Sequence, residues 1–181
     1  MRNAIRNTAA ALAVALLAVP IGAMADKDEG KDEAKEHDEL SRAMREAKVP
    51  LERGVSTAAA KEGTPISAKY EVEDGKLQLS VYTMKGDKFS EVIVDHGTGK
   101  VAKAEPITSG DDLAAAKEQK EVMAKAMRSL QAAAADATDK NRGYRAVSAV
   151  PELEEGHPVA KVTLLKGDDW KTVSVRLDSA K

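Results

Sequence analysis

Residues 84–89 read MKGDKF, and residues 165–170 read LKGDDW, 81 positions later. The likeness does not stop at the turn. Residues 66–95 lie over 147–176 without a gap, and eleven of the thirty positions are identical. These are Ser67/Ser148, Ala68/Ala149, Glu71/Glu152, Glu73/Glu154, Gly75/Gly156, Val81/Val162, Lys85/Lys166, Gly86/Gly167, Asp87/Asp168, Val92/Val173 and Val94/Val175. Glycines in register at two turns imply the same backbone angles in both places. A chain written this way is expected to be a duplicated unit.

Alternation gives the unit its content. Ile66, Ala68, Tyr70 and Val72 alternate with Ser67, Lys69, Glu71 and Glu73, which predicts a half-buried strand. Asp74-Gly75 then predicts a tight hairpin. Leu77, Leu79 and Val81 continue the pattern, and 85–87 turn the chain into a third strand with Val92 and Val94 inward. A short strand through Val101 is expected to end before Pro106. Leu40, Met44, Ala47 and Leu51 recur at helical steps, with Val49-Pro50 breaking the run and Pro50 opening a second helix that ends near Gly63. Ser109 and Asp112 resemble a capping box, and the alanine-rich stretch that follows, through Ala135, predicts one uninterrupted helix with Leu113, Ala116, Met123, Met127 and Leu130 along its stripe. The expected fold is α+β: two repeated units, 39–107 and 108–181, each a helix or helix pair on a three- to four-stranded antiparallel meander.

The N-terminus reads as an export signal. Arg2 and Arg6 precede the apolar run 9–19, Pro20 and Gly22 follow, and Ala23-Met24-Ala25 supplies small residues for cleavage between Ala25 and Asp26. Eleven apolar residues fall short of the ~20 that a spanning helix needs. Residues 1–25 are therefore expected to be removed, leaving a periplasmic or secreted protein with no stable membrane insertion. Residues 26–38 (DKDEGKDEAKEHD) lack large apolar side chains and read as a disordered charged tail.

The whole chain has 28 basic and 30 acidic residues. Loss of Arg2 and Arg6 would leave a mildly acidic, mixed-sign surface, which argues against a nucleic-acid partner. With no cysteine there is neither a disulfide nor a thiolate nucleophile. His37, His96 and His157 show no metal-ligand spacing, and Ser67 and Ser148 are expected to face solvent without a base. The reading is a protein that is not an enzyme and needs no cofactor or metal.

The stretch YEVEDGKLQLSVYTMKGDKFSEVIVDHGTGKV, residues 70–101, resembles the PepSY domain. The family's ending, a hydrophobic strand into aspartate and a Thr-Gly-Lys turn, is matched by Val94, Asp95, Thr98, Gly99 and Lys100. The likeness spans about Leu51–Val101. A second, degenerate copy at about Ala114–Asp178 keeps Asp178 and lacks the turn. The resemblance implies a helix packed on an antiparallel sheet and a role in regulating or inhibiting an exported peptidase or another envelope protein. The tandem layout also resembles the β-lactamase inhibitor protein, in architecture only.

Parity marks a candidate partner surface. Against inward Val81, Val92, Val173 and Val175, the aromatics Tyr82, Phe89 and Trp170 point to the other sheet face, together with Glu71 and Glu152. Aromatic anchors framed by carboxylates suit protein recognition. A bulge at the strand start would instead return Phe89 and Trp170 to the core. The alternative function is a small ligand or peptide held in a pocket between the repeats.

Overall fold

The computed structural model describes residues 29–179, so the expected signal and its Ala25/Asp26 cleavage point lie outside the described residues. The elements run α1 (Glu29–Ala43), α2 (Leu51–Glu62), β1 (Thr64–Glu73), β2 (Lys76–Lys85), β3 (Lys88–Val94), β4 (Val101–Ile107), α3 (Gly110–Met123), α4 (Leu130–Lys140), β5 (Arg145–Glu154), β6 (His157–Lys166) and β7 (Asp169–Arg176). The strands do not form two sheets. They make one seven-stranded antiparallel sheet in the order β4-β3-β2-β1-β5-β6-β7.

The alternating pattern works as chemistry requires. Ala68 lies opposite Val81 and Val81 opposite Val92, while Ala149, Val162 and Val173 form the matching row in the other half. Rows like these put apolar side chains on one face, where α2 and α4 cover them. Leu51, Val55 and Ala58 of α2 and Leu130, Ala133, Ala134 and Ala137 of α4 join Leu79, Val81, Val92, Val94, Val162 and Leu164 in one core. Small residues let the helices sit close. A Cβ at Gly54 would stand 2.0 Å from Leu79 Cδ2, a distance no real contact allows, so glycine is what admits the β2 leucine. Tyr70 spans the layer, its hydroxyl donating to the Val49 carbonyl, and burial pushes its phenol up to about 12.

The offset of 81 also recurs in backbone detail. β1 and β5 meet at Ala68 opposite Ala149, and bulges fall at Pro65/Ser67 and Ala146/Ser148. Lys48 and Val49 N–H donate to the His96 carbonyl, and Met127 and Arg128 N–H donate to the Leu177 carbonyl, the acceptors 81 apart and the donors 79.

Several expectations need correction. Residues 29–38 are not a tail: they form most of α1. Leu40 and Met44 pack at its C-terminal end. The long helix through Ala135 is two helices. Between them, Leu177 takes the amides of residues 127–128, Ser129 Oγ accepts the Ala132 N–H at 3.2 Å to cap α4, and Met127 is left 72% exposed. Ser109 makes no side-chain cap to α3. The bulge turns Ile66 away from the main core into a second cluster, and Ser67 is buried instead of solvated. β4 runs past Pro106, which is tolerated because β4 is an edge strand. Val173 and Val175 face the core but stay half-buried, because β7 is the other edge.

Candidate functional site

The Asp-Thr-Gly-Lys segment is a closed structural turn between β3 and β4. Asp95 Oδ1 accepts both the Thr98 N–H and the Thr98 hydroxyl at 2.6 Å, and these donors hold the Asp95 carboxyl below the usual range. The Asp95 N–H donates to the Lys100 carbonyl, and the Gly99 N–H to the Asp95 carbonyl, each at 2.8 Å. Gly99 is buried at φ +75°, and a Cβ there would lie 3.2 Å from Arg53 Nε and 3.4 Å from Val49 Cγ2. Its carbonyl accepts the Thr57 hydroxyl of α2 at 3.1 Å. These contacts fasten the turn to the helix layer. Lys100 projects into solvent, and no nucleophile or proton-transfer pair is assembled here.

The face opposite α2 and α4 is different. At one end α3 lies over it, and Ile66, Tyr82, Phe89 and Ala116 make the second apolar cluster. Tyr82 and Phe89 therefore do have the expected outward parity, but both are buried, not displayed. The physical reason is α3, whose Ala116 and half-buried Leu113 and Met123 meet them. The Tyr82 hydroxyl donates to Asp112 Oδ1 at 2.8 Å, and Lys120 Nζ bonds Asp87 at 2.6 Å and stands 6.0 Å from the Phe89 ring centre. Burial first, then the Asp112 hydrogen bond and the charges of Glu91, Asp112 and Glu71, push the Tyr82 phenol far above its ordinary value.

Trp170 is half-buried beneath α1 and touches the edge of the main core. Its indole N–H donates to Ser41 Oγ at 3.0 Å, and its ring stacks on His37, with centres 4.4 Å apart and planes 11° apart. No bulge at the strand start is involved, since β6 and β7 pair continuously from Lys166/Asp169 through Val159/Arg176. So the three aromatics are not one exposed patch: two lie under α3 and one under α1.

Between those covers the sheet face is open and polar. Lys69 pairs with Glu71, Lys161 with Glu154, and Lys103 with Glu105. Ser80 Oγ donates to Glu91 Oε1 at 2.5 Å, and Gln78 Nε2 donates to Glu71 at 3.3 Å and to Glu73 at 2.5 Å. Glu71 and Glu152 sit on this face, half-exposed. Glu91 is raised by burial and by the charges of Glu71, Asp112 and Glu73, against the Ser80 bond that lowers it.

Sequence reasoning missed the histidine contacts. Besides His37 on Trp170, His157 Nδ1 lies 2.9 Å from Asp178 and 2.8 Å from Arg176. The Arg176 guanidinium and His157 together hold the Asp178 carboxyl well below its usual range. These residues lie 19 and 21 positions apart in the chain, so no local motif announces them. Among the described residues, no group of three or more His, Asp or Glu could hold a metal ion. Nor is any helix among them long and apolar enough to cross a membrane. An open groove of about 990 Å³ lies between α1 and the near ends of β1, β2 and β3.

No protein-family model and no curated protein matches the chain. Among solved structures, a candidate lipoprotein from Clostridium difficile 630 is similar, with 17% sequence identity and a TM-score of 0.40. The match covers 75% of this chain and 90% of that one.

Proposed function

We propose that this chain is an exported, non-catalytic binding module that engages another exported protein through its open sheet face. The observation that carries the reading is the one-sided helix layer. α2 and α4 cover one face, while α1 and α3 leave the middle of the other to solvent. Half-exposed Glu71, Glu152, Lys161 and Thr163 there offer a flat, polar surface of the kind that takes part in protein contacts. The signal-like N-terminus supports export, and the PepSY-like residues Asp95, Thr98, Gly99 and Lys100 favour an exported peptidase as the partner. In this reading those four residues serve the fold and the face serves the contact.

The alternative of a ligand pocket between the repeats draws less support. β1 and β5 are hydrogen-bonded neighbours, and Ala68, Val81, Ala149 and Val162 fill the layer above them. The groove beside α1 is open and lies at the sheet end, away from the β1–β5 pairing at Ala68 and Ala149.

Photo-crosslinkers placed at Thr163 and Thr172 on the open face, and at Lys61 on α2, test the proposal in living cells. Capture of one exported protein from the face positions, lost in the Glu71→Lys/Glu152→Lys protein, is the expected result. Equal capture from Lys61, or capture indifferent to the charge reversals, would overturn it.

A further inference from the structure

We propose that α1 is a displaceable cover for Trp170, hinged at Met44, and that its release enlarges the interaction face. This rests on the reading that the face binds a protein, and concerns how that face is regulated.

The two end covers, α1 and α3, are held differently. α3 buries Ala116, Gln119 and Val122 and is fastened by the Tyr82–Asp112 hydrogen bond and the Lys120–Asp87 pair. In α1, residues 34–39 are all exposed, and burial begins only at Leu40 and Ser41. Toward β7 it is held by the His37 stack and the Trp170 bond to Ser41. Against the sheet it rests on β1 and β2, more sparsely than α3 rests on β5 and β1. The groove of about 990 Å³ opens there, with Asp38 and Arg42 on its helical wall and Val72, Leu77 and Ile93 on the sheet side. With the side chains of residues 34–39 all exposed, that part of the helix has little tertiary packing to stabilise it.

The chain immediately after α1 is firmly tied. Arg145 donates to the Met44 carbonyl at 3.1 Å and to the Ala47 carbonyl at 2.8 Å, and Lys48 and Val49 N–H bond the His96 carbonyl. Met44, Ala47, Val49 and Leu51 are buried. A loosely held helix next to a fixed anchor opens as a unit, without loosening the core. What it uncovers is Trp170, on the same sheet face as Glu152, Lys161 and Thr163. A large rigid aromatic is the side chain most enriched at binding hot spots.

Trp170 is the single tryptophan of the chain, so its fluorescence reports the cover directly in the full mature protein. In the His37→Ala/Ser41→Ala protein, acrylamide quenching should rise about threefold while hydrogen exchange in β1 and β5 stays unchanged. In the unaltered protein, amides of residues 34–43 should exchange at least about tenfold faster than those of residues 114–123. Unchanged quenching in the variant would overturn the proposal. So would α1 amides that exchange only as slowly as those of β1 and β5, because α1 would then open only with the whole fold. Neither readout needs a partner, so failure here leaves the face reading standing, and failed crosslinking leaves the hinge standing.

Discussion

Tyr82 is where the apolar and polar halves of the second sheet face meet. Its ring packs with Ile66 and Phe89, and its hydroxyl reaches Asp112. Tyr82→Phe keeps the packing and removes the donor, so it should cost about 1–2 kcal/mol in urea unfolding, as expected for a hydrogen bond to a charged acceptor. Glu91 behaves in the opposite way. Burial and acidic neighbours raise its pKa in the folded protein. Relative to the unfolded chain, folding therefore favours the protonated form, and the group penalises stability once pH rises through its folded pKa. Glu91→Gln should raise the melting temperature at neutral pH. The gain should vanish in acid below the ordinary glutamate range, and a gain that persists there would contradict the assignment. Residue parity was legible in the sequence: alternation with Val81, Val92 and Val173 put Tyr82, Phe89 and Trp170 on the far face. Their covers were not, because alternation reports which way a side chain points and nothing about what lies on top of it.

At the scale of elements, the closest fit is α2 on β2. Gly54→Ala drives a methyl into Leu79 and should cost about 1–3 kcal/mol, measured by chemical denaturation. Combining it with Leu79→Ala should recover part of the loss, since the clash is with that side chain. Strand position sets another contrast. Val94, fully buried in β3, should lose about 2 kcal/mol on truncation to alanine, whereas half-buried Val175 on edge strand β7 should lose less than about 1 kcal/mol. Equal losses would mean that β7 is covered in solution. Strands, hairpins and α2 were readable because short-range patterns specify them. The α3–α4 break was not: alanine-rich sequence favours helix throughout, and the competing acceptor is the Leu177 carbonyl, some 50 residues away. Likewise, the charged composition of residues 29–38 suggested a tail because its docking partner, Trp170, is remote in sequence.

At the scale of the whole molecule, the main core draws on both halves, with Val55, Val81 and Val94 from one and Leu130, Val162 and Leu164 from the other. Calorimetry should therefore show one cooperative transition with matching calorimetric and van't Hoff enthalpies. Two separable transitions would show the halves to be independent. The expectation of two meanders captured the strand content but missed their fusion into one sheet, since edge-to-edge pairing of β1 with β5 leaves no mark on either strand's alternation. That pairing has its own consequence. Ala68 lies opposite Ala149, and Lys69 opposite Ser148, so two strand edges that would otherwise be open close on each other. Edge-to-edge pairing of this kind can also join two separate chains; here both edges belong to one chain. A tether fixes the effective concentration of the two sides, so dilution, which dissociates an ordinary dimer, should leave the seam and the melting temperature where they are.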